Sequence, residues 1–120
     1  MDASNGQLIY PSEHEEQKGF VNWFRIKYPH LLMFAVPNGE KRAISVAKRL
    51  KAEGVLAGVP DIFILLPEGK TLIIEMKRQK GGRLSTDQKG VIAKITELGH
   101  PVIIGYGAED ASRKTLDYLK

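Results

Sequence analysis

The chain has 120 residues, of which 42% are hydrophobic and 27% charged, and this is typical of one folded domain with one core rather than of a disordered segment. It contains no cysteine, which excludes disulfides, thiolate metal sites and cysteine nucleophiles. The sequence has neither an apolar run near the roughly 20 residues that a membrane-spanning helix needs nor the pattern of a secretion signal. We therefore expect an intracellular protein, cytoplasmic or nucleoid-associated. The net charge of +4 fits a polyanionic partner but does not identify one.

Hydrophobic periodicity and turn residues predict alternating helices and strands in a single domain over residues 1–120. In chain order these are a loose lead-in (1–11), a helix (12–28), a strand (31–36), a helix (41–54), two strands joined by a turn (59–66 and 71–77), a helix with its flanking caps (84–99), a strand (101–106) and a last helix (109–120). The joined strands are antiparallel because only four residues connect them. The predicted fold class is α/β (α+β mixed), with a central mixed sheet flanked by helices.

Two of the predicted helices begin with a capping box. Ser12 is followed three residues later by Glu15, and Ser85 is followed three residues later by Gln88. On the second of these helices the side chains predicted to face the sheet are Val91, Ile92, Ile95 and Leu98.

The hairpin of residues 59–77 carries charges where a core strand is expected to be apolar. Side chains alternate between the two faces of a strand, so Glu75 and Lys77 share one face. Counting outward from the turn places Asp61 opposite residues 75–77, on that same face. The remaining residues on both faces are mostly apolar, which predicts that both faces of the hairpin are covered.

Two acids and a lysine held together in a partly dry site have a recognisable chemistry. Neighbouring carboxylates raise each other's pKa, and a divalent cation with a preference for oxygen ligands relieves that repulsion. A lysine beside them can orient a water molecule or stabilise negative charge. This set is the equipment of metal-assisted phosphodiester hydrolysis, although a solvated edge or a simple ion pair would also explain Glu75 and Lys77.

The motif itself resembles a known family. Pro60-Asp61, thirteen intervening residues and then Glu75-Met76-Lys77 resemble the PD-(D/E)xK nuclease superfamily. Within it the chain is similar to the VRR-NUC (virus-type replication-repair nuclease) domain, through GVPD at 58–61, IEMKRQKGGRLSTDQ at 74–88, EHEEQ at 13–17 and PNGEKR at 37–42. The resemblance implies a restriction-endonuclease-like core and cleavage of DNA with Mg²⁺ or Mn²⁺.

The resemblance also implies roles for individual residues. Asp61 and Glu75 match the metal-binding acids, the backbone carbonyl of Met76 matches a further ligand, Lys77 matches the catalytic lysine, and Gln88 matches a glutamine beside the site. An acid on the first helix is expected to assist. Helical geometry favours Glu13, because it shares a stripe with the apolar side of that helix, whereas Glu15 is accounted for as a cap and Glu16 lies near the margin of the stripe. A favourable charge near a helix N-terminus would explain Glu13 as well.

Polar and basic residues near the motif are candidates for binding DNA phosphates. The alternatives are a turn at Asn38, a solvated helix face around 41–48 and an ordinary charged loop at 78–83. The candidate DNA-binding residues are Asn38, Lys41, Arg42, Lys48, Arg78, Lys80 and Arg83. Stand-alone members of the family resemble Holliday-junction resolvases, which implies a homodimer acting on branched or otherwise structured DNA, in repair or recombination. Two other hypotheses are a nuclease-fold module that binds DNA without cleaving it, and a dimeric structural domain with a buried ion-pair cluster.

Overall fold

The structure, a computed structural model, describes residues 9–38 and 42–120. Within these ranges the chain forms, in order, α1 (Glu13–Lys27), β1 (Leu32–Ala35), α2 (Ile44–Ala52), β2 (Ile62–Leu65), a short 3₁₀ turn (Pro67–Gly69), β3 (Thr71–Lys77), α3 (Thr86–Glu97), β4 (Val102–Tyr106) and α4 (Ala108–Tyr118). The predicted order of elements is confirmed. Residues 9–11 of the predicted lead-in have no regular structure, and its remainder lies outside the described residues. No helix in the described ranges is long and apolar enough to cross a membrane.

The four strands form one mixed sheet in the order β1-β2-β3-β4. The pairs β1–β2 and β2–β3 are antiparallel, and β4 joins β3 in parallel. The prediction of a mixed sheet with helices beside it is therefore confirmed. The helix α3 lies between β3 and β4 in sequence, which is what a parallel pair requires, because the chain must return to the same end of the sheet.

Both predicted capping boxes are present. The Ser12 hydroxyl accepts the N–H of Glu15 at 3.1 Å, while the Glu15 carboxylate accepts the N–H of Ser12 at 3.0 Å. The Ser85 hydroxyl accepts the N–H of Gln88 at 3.1 Å, and Oε1 of Gln88 accepts the N–H of Ser85 at 2.9 Å. Each box satisfies backbone donors that the first turn of a helix leaves unpaired, and so fixes where α1 and α3 begin.

The helices α1 and α4 cover one face of the sheet, and the core lies between these helices and that face. Its buried members are Phe20, Phe24, Ile62, Ile64, Leu72, Ile74, Met76 and Ala111. The helix α4 approaches β4 closely at Gly105, where an added Cβ would collide with Ala111. Burial of these apolar side chains, at about 1.5–3 kcal/mol for each large one, is the main source of stability.

The other face of the sheet is covered only in part. The predicted cover on both faces of the hairpin is confirmed for β3, where Ile73, Glu75 and Lys77 are buried, but is wrong for the end of β2. The helix α3 contacts β4, so it leaves the β1–β2 side open, and Leu32, Phe34 and Leu65 remain 61%, 44% and 42% exposed there. Leu98, predicted to face inward, is 67% exposed because it caps the C-terminus of α3 beyond the last helical turn. Alternation predicts which side chains share a face, but it does not show whether another element covers them.

Candidate active site

The structure brings Asp61, Glu75 and Lys77 together at one end of the hairpin formed by β2 and β3. The strands pair Ile62 with Ile74, so Asp61, one residue before β2, lies beside Glu75. Oδ2 of Asp61 accepts the backbone N–H of Met76 at 2.7 Å. Nζ of Lys77 lies 3.5 Å from Oε2 of Glu75, and both of these charged side chains are buried. The register inferred from the length of the turn therefore matches the structure.

Gln88, on the first turn of α3, connects the two charged residues of β3. Its Nε2 donates to Oε2 of Glu75 at 2.9 Å, and its Oε1 accepts from Nζ of Lys77 at 3.1 Å. The same Oε1 completes the capping box described above. One side chain therefore fixes the start of a helix and the orientation of an acid–lysine pair.

A close backbone contact places α3 against the segment that leads to Asp61. Gly58 has φ +89°, and a Cβ there would lie 2.6 Å from the backbone carbonyl of Asp87. Only glycine combines this left-handed conformation with such an approach. The contact brings the first turn of α3, and hence Gln88, over the end of the hairpin.

The three glutamates at the start of α1 have three different environments. Oε1 of Glu13 lies 4.0 Å from Nζ of Lys77, at the edge of the site, with its side chain 45% exposed. Glu15 is exposed and occupied by the capping box. Glu16, expected near the margin of the inward stripe, is instead the buried one of the three. Its Oε1 accepts the N–H of Ala108 and its Oε2 accepts from Nε2 of Gln79, each at 2.8 Å.

Sequence reasoning did not identify the contacts of Glu16 and Gln79. A signal existed for Glu16, since it precedes the buried Phe20 by four residues and so lies on the inner side of α1. Gln79 has no comparable signal, because it follows β3 in an irregular segment and its partner is far away in sequence.

Burial and mutual repulsion alter the ionisation of both acids. Loss of solvent raises the pKa of Glu75 to about 7, the neighbouring Asp61 adds to the rise, and Lys77 opposes it. Burial also raises the pKa of Asp61, although the hydrogen bond from the Met76 N–H favours its charged form. A site that makes two carboxylates hard to ionise together has the electrostatics that favour a cation.

The polar atoms at this place fit a hard divalent cation. Among the described residues, Oε1 of Glu75 is buried without a hydrogen-bond partner. The carbonyl of Lys77 accepts from Gly107, beside β4, so by alternation the carbonyl of Met76 points to the opposite edge of β3, toward Asp61. Carboxylate and carbonyl oxygens are the ligands such ions prefer. Across residues 9–38 and 42–120, however, no three acidic, histidine or cysteine side chains form a ready-made metal cluster.

A loop with three of the candidate basic residues follows Lys77 directly. An added Cβ at Gly82 would lie 2.9 Å from Cβ of Lys77, so the loop folds back over the site lysine. Arg78, Lys80 and Arg83 are exposed in and beside this loop. Three exposed positive charges therefore lie in the segment that directly follows the site lysine.

The other candidate DNA-binding residues lie around α2. Nδ2 of Asn38 donates to the Leu56 carbonyl at 2.7 Å, which joins the segment after β1 to the segment before Asp61. Asn38 and Arg42 line an open groove of about 650 Å³ that also reaches Asp87, the neighbour of Gln88. Lys48 is exposed on α2, a helix with no buried residue. Lys41 lies outside the described residues.

Comparison with known proteins assigns the chain to a family. The VRR-NUC domain matches residues 6–109. The fold is similar to a solved structure described as a VRR_NUC domain protein, with a TM-score of 0.74 and 22% identity over 93% of this chain and 91% of the other. A second, described as a VRR_NUC domain, gives a TM-score of 0.64 and 16% identity over 90% of this chain and 99% of the other. No curated protein matches the sequence significantly. The match over most of the chain shows that the protein belongs to the VRR-NUC family, a family of PD-(D/E)xK nucleases.

Proposed function

We propose that this chain is a metal-dependent deoxyribonuclease that hydrolyses phosphodiester bonds with Mg²⁺ or Mn²⁺. The observation that carries the proposal is the buried Oε1 of Glu75, which has no partner among the described residues and lies beside a second carboxylate, that of Asp61. An orphaned carboxylate oxygen is costly in a folded protein, and a cation would satisfy it.

In this proposal the chain's own residues divide into ligands and positioning groups. Asp61 and Glu75 would hold the cation with the Met76 carbonyl, and Glu13 would assist directly or through water. The bound cation would supply Lewis acidity, which polarises the phosphate and favours hydroxide over water.

Lys77 and Gln88 have complementary roles. The Lys77 ammonium, buried and 3.5 Å from Oε2 of Glu75, orients the attacking water and stabilises the negative charge that develops on the phosphate. Gln88 holds the lysine and the acid in a fixed relation, since it hydrogen-bonds both. A rotation of either side chain away from the hairpin end would therefore break one of these bonds.

The DNA backbone would bind along the positive surface beside the hairpin end. Arg78, Lys80 and Arg83 contribute from the loop that covers Lys77, and Asn38, Lys41, Arg42 and Lys48 from the segment around α2. Such contacts position the scissile phosphate without reading the sequence. They also make binding weaken steeply as salt is added.

We further propose that the protein acts as a homodimer on branched DNA, inside the cell and in repair or recombination. A chain of this size offers little DNA-binding surface beyond the site, and a second copy would add a site for the second strand. The open side of the sheet supports a dimer, because Leu32, Phe34 and Leu65 are exposed together.

A cleavage assay across DNA shapes tests the proposal. Four-way junctions, flaps, linear duplexes and single strands are incubated with purified protein in Mg²⁺, Mn²⁺ or EDTA. We expect cleavage that requires the metal, is fastest on branched substrates and is lost in Asp61→Ala. Analytical ultracentrifugation of the same samples measures the dimer. If no DNA is cut under any condition, the enzymatic proposal is wrong.

The same protein preparations separate the enzyme from an inactive DNA-binding module. Calorimetric titration with Mn²⁺ is expected to show binding that disappears in Asp61→Ala. DNA binding without metal binding or cleavage would favour the inactive module.

A further inference from the structure

Glu16 forms hydrogen bonds that connect three parts of the chain. It belongs to the first turn of α1, and its two carboxylate oxygens bind the N–H of Ala108 at the start of α4 and the side chain of Gln79 just after β3. The side chain is 5% exposed. A carboxylate is seldom buried to this degree unless each of its oxygens has a hydrogen-bond partner. Each oxygen of Glu16 has one.

The helix α4 has no side-chain cap of its own at its N-terminus, so the Glu16 carboxylate can act as the missing acceptor. Its N-cap residue is Gly107, which has no side chain to accept the free N–H groups of the first turn. Gly107 has φ +95°, and a Cβ there would lie 2.7 Å from Cγ of Gln79, so a capping serine or aspartate would be strained in place of the glycine. Glu16 thus supplies from α1 the oxygen that a helix start requires, and its negative charge also suits the positive end of the helix dipole.

Glu13 lies one helical turn before Glu16. In the described part of the chain its side chain has a single polar contact, the 4.0 Å approach to Nζ of Lys77. Such a contact is too long and too exposed to fix the side chain. The position of Glu13 relative to Asp61 and Glu75 therefore depends on how the first turn of α1 is held.

We propose that Glu16 is a positioning residue for the nuclease site, one that holds the first turn of α1 so that Glu13 faces the cation-binding acids. The inference rests on the proposed function, in which Glu13 assists cation binding. Glu16 is not itself a ligand in this scheme, since both of its oxygens are already engaged by Ala108 and Gln79.

The test is a double-mutant cycle on Mn²⁺ affinity. Glu16→Ala removes the connection, Glu13→Gln removes the proposed ligand charge, and the double variant carries both changes. We expect Glu16→Ala to weaken Mn²⁺ binding by about tenfold, as is typical for residues that orient metal ligands. The double variant should bind Mn²⁺ no more weakly than the single variant with the lower affinity, because the two changes act on the same contact.

Controls separate positioning from a general loss of stability. Glu15→Gln changes an exposed acid on the same turn, and Ile64→Val weakens the core away from the site; both should retain Mn²⁺ affinity even where the melting temperature falls. Glu16→Gln keeps an oxygen for the Ala108 N–H and should therefore retain most of the wild-type affinity for Mn²⁺, unlike Glu16→Ala. In cleavage assays Glu16→Ala should lower kcat more than it raises the KM for DNA.

The outcomes distinguish failure of this inference from failure of the proposed function. If Asp61→Ala abolishes Mn²⁺ binding while Glu16→Ala leaves it unchanged, the metal site stands and the positioning role of Glu16 is wrong. Additive effects in the double variant also overturn the inference. If the wild-type protein binds no Mn²⁺, the proposed function fails and this inference fails with it.

Discussion

Replacement of Glu75 by glutamine should make the metal-free protein more stable at neutral and alkaline pH, although it removes a charged partner of Lys77. The carboxyl of Glu75 has a pKa of about 7 in the folded protein, against 4.5 as its ordinary value. Between these values the folded state binds more protons than the unfolded state, so the free energy of unfolding falls as pH rises from about 4.5 to about 7. Glutamine has nearly the same shape, does not titrate, and still offers an oxygen to Gln88.

The size of the effect follows from the pKa interval. From 4.5 to about 7, at about 1.4 kcal/mol for each pH unit, the cost of ionising Glu75 in the folded protein is about 3 kcal/mol. In a domain of this length about 3 kcal/mol corresponds to roughly 12 °C in melting temperature. The advantage of Glu75→Gln should be absent below pH 4.5, grow through neutral pH and stay constant above it.

Urea unfolding at a series of pH values from 4 to 9, in EDTA, measures this difference for wild type and variant. Glu15→Gln is the matched control: hydrogen bonds from Ser12 lower the pKa of that exposed glutamate, so its replacement should give no such gain at high pH. An unfolding difference between Glu75→Gln and wild type that is equal at pH 4 and pH 9 would refute the reasoning. Glu75 would then ionise as an ordinary surface carboxylate.

Three further outcomes are expected. Millimolar Mn²⁺ should raise the melting temperature more at pH 8 than at pH 5.5, because its ligands must lose their protons, and calorimetry should show no such rise in Asp61→Ala. Lys77→Met should slow DNA cleavage by about a hundredfold or more while Mn²⁺ binding persists; equal loss of both would make Lys77 part of the metal site's architecture rather than a catalytic group. Gly58→Ala should lower the melting temperature more than Gly69→Ala. Both glycines have positive φ, at +89° and +74°, but only Gly58 faces backbone atoms, those of Asp87 and Gln88. Equal falls in melting temperature would contradict the close contact with Asp87.

The hairpin was predictable because its determinants are local. A short turn fixes the register, and the register together with side-chain alternation places Asp61 beside Glu75. The same is true of both helix starts, where residues three apart bind each other. These features need no knowledge of the rest of the chain.

The two contacts of Gln88 with the site were not predictable from its capping box. The box accounts for its hydrogen bond to the Ser85 N–H, whereas its bonds to Lys77 and Glu75 depend on how closely α3 approaches the hairpin. That approach is set by Gly58, whose close contact is visible only in the folded chain. The position of Gln88 beside the site is implied by the family resemblance and not by the local sequence pattern.

The open side of the sheet shows a different limit. Apolar residues on both faces of β2 and β3 predict that both faces of this hairpin are covered, since exposed apolar side chains lose the favourable free energy of burial. The prediction holds for β3 but not for Leu65 of β2, which is 42% exposed. In the single chain α3 covers β4 instead, and Phe34 stacks against Phe63 with their ring centroids 5.8 Å apart. Whether a face is covered depends on tertiary packing, and in an oligomer on a second chain, which one sequence pattern cannot show.

The proposed cation explains why a small core tolerates the charged end of its hairpin. Ionised Glu75 makes the metal-free fold less stable by about 3 kcal/mol, which is a large part of the stability of an ordinary domain. A ligand that binds only the folded state at a hundred times its Kd returns about 2.7 kcal/mol. The two magnitudes are nearly equal, so a cation of moderate affinity is enough to offset the destabilisation. The same acids would therefore lower the stability of the empty protein and give it affinity for the cation, and variants that stabilise the empty fold at Glu75 should lose metal binding in the same step.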